Sequence, residues 1–207
     1  MHIIVKNPQV LNWFDEFTRL DCNRGRTPRR VIALDSDDYQ AQRDFACADS
    51  TLIEYLSKQR PYQKMRSLDF FGETQGGKFF NDHMLPLLGM PRWYTSAYDP
   101  QGFLGWHEDT SESGYFLMFT YSREGRGFFK YLDNYSDTII TIPDSVGWNV
   151  KSGHSGHDQD DAWWHCASAE CARYTWIYIW DREDQMNRAI EILKSGDVAE
   201  WPMAPDY

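Results

Sequence analysis

The segment Gly102-Phe103-Leu104-Gly105-Trp106-His107-Glu108-Asp109 carries the residues best suited to chemistry. On a strand, positions i and i+2 point to one face, so His107 and Asp109 project together. An imidazole and a carboxylate side by side can bind a divalent cation, and one more histidine would complete a 2-His-1-carboxylate set, the ligand type of non-haem Fe(II) oxygenases. His154, His157 and His165 all compete for the third place. His-x-Asp is a common chance spacing and needs context. That context lies downstream, where Trp163-Trp164-His165-Cys166 precedes the run Arg173-Tyr174-Thr175-Trp176-Ile177-Tyr178-Ile179-Trp180. By strand parity Arg173 and Thr175 share one face, and Tyr174, Trp176, Tyr178 and Trp180 share the other. An aromatic stripe of that size must be covered, and the N-terminal helices are the available cover. Arg173 then faces inward, where a guanidinium without a partner is strongly unfavourable. Its own strand run offers no acid, so it should hold either a ligand carboxylate, through a bidentate pair, or a carboxylate from elsewhere in the chain.

Several elements must position these residues. Short aromatic and β-branched runs separated by Gly, Pro, Asp and Ser predict strands near 93–98, 102–109, 115–122, 127–132, 137–142, 146–151 and 173–180, a pattern of sandwiches and small barrels. Before them, Phe45, Ala48, Leu52, Ile53 and Leu56 form a helical stripe in a segment from Asp35 to about Gln59, and a short helix is expected near Gly77 to Leu88. After Trp180, Asp181 and Asp184 read as a capping pair for a helix with Met186, Ala189, Ile190 and Leu193 on one side. No linker-like stretch or repeat divides the chain. The expected organisation is one domain over 1–207: helix-rich support over 1–92, a β core over 93–181, and a C-terminal helix and tail over 182–207.

As a set, Tyr98, Gly102, His107-Glu108-Asp109, His165 and Arg173-x-Thr175 resemble the Fe(II)/2-oxoglutarate-dependent dioxygenases, and most nearly their prolyl-hydroxylase-like branch. The resemblance covers about residues 94–180 and implies a mainly β fold with flanking helices, its core a double-stranded β-helix of jelly-roll or cupin-like type. It implies His107, Asp109 and His165 as iron ligands, the short gap from His165 to Arg173 favouring His165 over its rivals. It implies Arg173 as the grip on the far carboxylate of 2-oxoglutarate, with Thr175 and Tyr121 beside it and Tyr98 at the cosubstrate near the iron. Fe(II), 2-oxoglutarate and O2 are therefore the expected cofactors, and C–H hydroxylation of a small-molecule or peptidyl substrate the expected reaction, a prolyl or other amino-acid residue leading. The chain departs from the family at Trp164, where many members carry Pro before the distal histidine, and at Lys151–Asp161, which reads as a solvated turn or a loop at the barrel mouth. Substrate contacts are expected from loops near Gly72–Lys78, Ser111–Gly114 and Lys151–Asp161.

Composition narrows the alternatives. The 207 residues carry 31 Asp and Glu against 21 Lys and Arg, a net charge of −10, which demotes a general duplex nucleic-acid binder and an anionic membrane surface. Hydrophobic residues at 42% with nine Trp are enough for a sizeable core and exclude disorder. No apolar run is long enough to span a bilayer, and the first residues lack the cationic and apolar stretches of a signal peptide. Cys22, Cys47, Cys166 and Cys171 fit no zinc spacing, so reduced thiols in a cytoplasmic protein are expected. H-E-x-x-H is absent, which disfavours a zinc hydrolase. Two rivals remain: a nucleic-acid-modifying member of the same family, using the basic Arg24–Arg30 loop on a single strand, and a non-catalytic cupin-like binding module.

Overall fold

A computed structural model of the chain describes residues 2–21, 39–61, 64, 66–67, 75–109, 113–156 and 162–195. The Arg24–Arg30 loop, Cys22, the proposed helix start at Asp35, His157 and the segments around residues 72–74 and 110–112 lie outside them. In chain order the elements are β1 (His2–Ile3), α1 (Pro8–Asp21), α2 (Tyr39–Ala46), α3 (Asp49–Leu56), β2 (Arg66–Ser67), α4 (Gln75–Leu87), β3 (Arg92–Tyr98), β4 (Phe103–His107), β5 (Gly114–Ser122), β6 (Gly127–Asp133), β7 (Thr138–Pro143), β8 (Gly147–Ser155), β9 (His165–Ala169), β10 (Arg173–Trp180) and α5 (Glu183–Lys194).

The strands form two five-stranded sheets, ordered β1-β8-β5-β10-β3 and β2-β4-β9-β6-β7, every pairing antiparallel. Chain neighbours alternate between the sheets except at β6–β7, an antiparallel hairpin within the second sheet, so every other connection crosses from one sheet to the other. This is a double-stranded β-helix with flanking helices, a jelly-roll core. Its alternation gives each sheet one face toward the interior and one outward.

The outward face of the first sheet carries the aromatic stripe, and helices cover it as parity required. Phe17 of α1 lies edge-on to Trp176 at 4.7 Å and to Tyr174 at 5.4 Å. From α4, Phe80 reaches Trp176 at 4.6 Å, and Asn81 accepts a hydrogen bond from the Tyr178 hydroxyl at 2.9 Å. The Trp180 indole donates to the Leu88 carbonyl. Each fully buried large side chain of this layer contributes about 1.5–3 kcal/mol. The start of α1 is set by Asn7, whose side-chain oxygen accepts from the amides of Gln9 and Val10, and by Pro8 in the first turn. The same Asn7 side chain donates to the Ile192 carbonyl and ties α1 to the end of α5.

Three local readings change. The helix expected from Asp35 to Gln59 is two helices, α2 and α3, broken at Ala48, whose backbone is extended (ψ 142°). The Ala48 carbonyl accepts from the Thr51 amide at the start of α3 and also from the Trp106 indole at 2.8 Å, so the barrel itself fastens the break. The N-cap of α5 is Arg182, with no side-chain cap bond, and Asp184 instead receives the Arg182 guanidinium. Residues 151–155 are the end of strand β8, not a turn or loop. Cys47, Cys166 and Cys171 are free and buried.

Candidate metal centre

The second sheet brings the two histidines together. Phe103 pairs with Ser168 and Leu104 with Ala167, but the next pair is His107 with His165. Three residues of β4 therefore span two of β9, a bulge with one extra residue at Gly105-Trp106. It resets the alternation. Leu104 turns to the interior cluster of Met118, Phe129 and Ala167, while Trp106 turns outward beneath α2 and α3 with Phe103 and Cys166. His107 is then free to face inward again, its ring 4.0 Å from that of His165. β4 ends at His107, so Asp109 stands just past the strand and is held by other means.

One donor atom from each of His107, Asp109 and His165 lies within 4.8 Å of the others. The Nε2 atoms of His107 and His165 are 3.4 and 3.7 Å from Asp109 Oδ2. His107 Nδ1 meets the Gly105 carbonyl at 2.8 Å and His165 Nδ1 the Trp163 carbonyl at 2.9 Å. A carbonyl can only accept, so each Nδ1 carries the proton and each Nε2 presents a lone pair, the outer-shell arrangement typical of metal-bound histidine. Asp109 Oδ1 accepts from Lys64 Nζ at 2.8 Å, which leaves Oδ2 toward the imidazoles. Burial pulls the His165 pKa down to about 3, so its ring is neutral at neutral pH. Burial opposes ionisation of Asp109, and the Lys64 ammonium hydrogen-bonded to it favours the carboxylate. Two lone pairs and a carboxylate oxygen converging without a proton between them repel one another, and a cation relieves that repulsion. Bonds of ~2.1 Å call for donors about 3–3.5 Å apart, within a small side-chain adjustment of the distances seen. The residues fit a divalent cation.

Along the first sheet, Arg173 pairs with Tyr98 on one side and Ser122 on the other. It is 1% exposed. Its Nε donates to Asp144 Oδ2 at 2.9 Å and its Nη1 to the Thr175 hydroxyl at 2.7 Å, while Nη2 is buried with no partner among the described residues. The carboxylate from elsewhere in the chain, left open by the sequence, is Asp144, just beyond β7. Gly127 makes room for it: a Cβ there would meet Asp144 Oδ2 at 2.6 Å. Two of the five guanidinium N–H groups are engaged, and Nη2 is the nitrogen left for a ligand carboxylate. Thr175 holds the guanidinium, and the Tyr98 ring lies under it at 4.9 Å.

Tyr121 is misplaced by the sequence reading. It pairs with Tyr174, not with Arg173, and so stands on the helix side of the sheet, 5.4 Å from Trp148 and 6.2 Å from Phe17. The inward neighbours there are Thr120 and Ser122. Tyr98 is inward, but its contacts place it at the Arg173 end. His154, a rival third ligand, is exposed at the end of β8 against Tyr115. Two residues escaped the sequence reading: Lys64, which steadies Asp109, and Lys151, whose side chain is buried on the inner face of β8 with no partner for Nζ among the described residues. Lys64 sits in Tyr62-Gln63-Lys64-Met65-Arg66, which has no clear periodicity and gives no signal, whereas Lys151 sits in Trp148-Asn149-Val150-Lys151, where alternation puts it inward with Asn149.

No family model matches the chain, and no curated protein does. Solved structures do. A Pseudomonas putida prolyl-4-hydroxylase is 13% identical over 84% of this chain and 100% of its own, with a TM-score of 0.37. A Trichoplax adhaerens prolyl hydroxylase, solved with a hypoxia inducible factor peptide, is 9% identical over 88% and 97%, with a TM-score of 0.41. Drosophila melanogaster CENP-C bound to CAL1 is 9% identical over 64% and 96%, with a TM-score of 0.33. None of these TM-scores reaches 0.5, and the case for both fold and chemistry rests on the strands and residues of this chain.

Proposed function

We propose that the protein is an Fe(II)- and 2-oxoglutarate-dependent oxygenase that hydroxylates a C–H bond of an organic substrate. The observation that carries the reading is the convergence of His107, Asp109 and His165, with both histidine tautomers set by backbone carbonyls, on the inner face of a jelly roll. When bound, iron and 2-oxoglutarate supply O2-dependent oxidation of the substrate coupled to loss of CO2 and formation of succinate. The chain's own part is geometry. His107, Asp109 and His165 would hold the metal. Lys64 holds Asp109 by one oxygen so that the other serves the metal. Arg173 would meet the far carboxylate of 2-oxoglutarate through Nη2, with Asp144, Thr175 and the Tyr98 ring fixing the guanidinium. Trp163 stacks on His165 at 4.4 Å and shields that side of the centre from water. A prolyl or other amino-acid residue is the leading substrate.

The test is succinate formation from 2-oxoglutarate under air with Fe(II), without added prime substrate, where such enzymes turn over slowly. Wild type should release succinate above the protein-free rate and His107→Ala should not. Equal rates in the two proteins would refute the assignment.

A further inference from the structure

Lys151 is the group the site described above does not use. Its side chain is 6% exposed, and Nζ has no hydrogen-bond partner among the described residues. An unpaired buried ammonium is strongly unfavourable, so its retention calls for an anion. Among the described residues the charges around it do not balance: Arg173 and Lys151 face the carboxylate of Asp144, whose Oδ2 is taken by Arg173. One positive charge is left over. Burial and then Arg173 pull the Lys151 pKa down to about 8, which leaves it mostly charged at neutral pH.

Lys151 also lines a cavity of about 670 Å³ between the sheets, within the range of small-molecule sites. The walls include Phe116, Met118, Phe129, Tyr131 and Trp163, and one acid, Asp133, whose carboxylate is engaged by the Tyr135 amide and the Ser136 hydroxyl. Trp163 is 4.6 Å from Phe116 and 5.3 Å from Phe129, and its ring also stacks on His165. The cavity therefore shares a wall with the metal centre. Aromatic walls favour a flat apolar body, and one uncompensated positive charge favours one negative group.

We propose that this cavity binds an aromatic carboxylate, its ring among Phe116, Phe129 and Trp163 and its carboxylate on Lys151. The site is the prime-substrate pocket of the oxygenase proposed above, and in that role it rests on that reading; the binding itself does not.

The experiment is calorimetric titration of the metal-free full chain with 3-phenylpropionate and indole-3-acetate, each against its neutral amide. Wild type should bind at least one carboxylate tenfold or more tighter than its amide. Lys151→Met and Lys151→Gln should erase that discrimination, and each variant's affinity for 2-oxoglutarate with Fe(II) should stay within twofold of wild type. Absence of discrimination in wild type, or its survival in both variants, overturns the proposal. So does a loss of 2-oxoglutarate affinity in the variants with probe binding unchanged, since Lys151 would then serve the cosubstrate. Discrimination in a protein that binds no Fe(II) would uphold the pocket and remove only the oxygenase reading.

Discussion

At the scale of single residues, the Arg173–Asp144 pair separates charge burial from ligand binding. Both side chains are shut away from water, at 1% and 0% exposure. Removing one partner of such a pair leaves a buried charge alone and typically costs about 3–5 kcal/mol. Asp144→Ala is the harsher change, because it leaves Arg173 and Lys151 facing each other with no carboxylate between them. It should lower unfolding free energy by that amount in a urea titration, and a loss under about 1 kcal/mol would show that the pair bears little weight. Arg173→Met should weaken 2-oxoglutarate at least tenfold while leaving Fe(II) affinity within twofold, since the guanidinium touches none of His107, Asp109 and His165. An equal loss of both affinities would mean that the variant has disturbed the interior as a whole.

At the scale of elements, what was legible follows from how much signal a strand or helix leaves in one sequence. The strands of the first sheet that alternate aromatic with small or polar residues were readable to within a few positions. β9 was not read as a strand: His165-Cys166-Ala167-Ser168-Ala169 is buried throughout and built of small side chains, so it shows neither alternation nor β-branched enrichment. α1 was also missed, although Asn7-Pro8 and the spacing of Val10, Phe14 and Phe17 mark it. The metal-ligand candidates were legible because His107 and His165 are rare residues next to apolar runs, with Asp109 two positions after the first. The bulge that aims His107 was not, since an extra residue is visible only against its partner strand. Tyr121 failed for the same reason, because its face depends on register with Arg173. The importance of α1 can be measured. Phe17 is fully buried against Trp148, Tyr174 and Trp176, so Phe17→Ala should cost about 3–5 kcal/mol. A thermal melt should show it as a large drop in Tm with metal affinity at low temperature retained. An unchanged Tm would mean that the helix does not cover the sheet in solution.

At the scale of the whole molecule, the two sheets divide the work. The second sheet supplies both histidines, and the first supplies the cations, Arg173 and Lys151, that its helix-covered back holds in a dry interior. A buried cation has a signature in pH. The Lys151 pKa lies at about 8 in the folded chain, pulled down by burial and then by Arg173, against 10.5 when free. Between those values the unfolded chain binds more protons, so this residue's contribution makes stability rise with pH across the window. Its burial penalty is full below about pH 8 and gone above 10.5, a difference on the order of 3 kcal/mol. Lys151→Met should therefore be more stable than wild type at pH 7, with the gap closing as pH rises to 10.5. A pH-independent gap would place the ammonium in contact with water or an unseen partner.

The centre itself is tested most directly by adding Fe(II) and then 2-oxoglutarate to metal-free protein without oxygen. A chelated 2-oxo acid on ferrous iron gives a weak visible charge-transfer band. The band should appear in wild type, saturate with one iron per chain, and be absent in His107→Ala. A folded wild-type protein that shows no band would contradict the account, and its jelly roll would then be a binding module with a fortuitous triad.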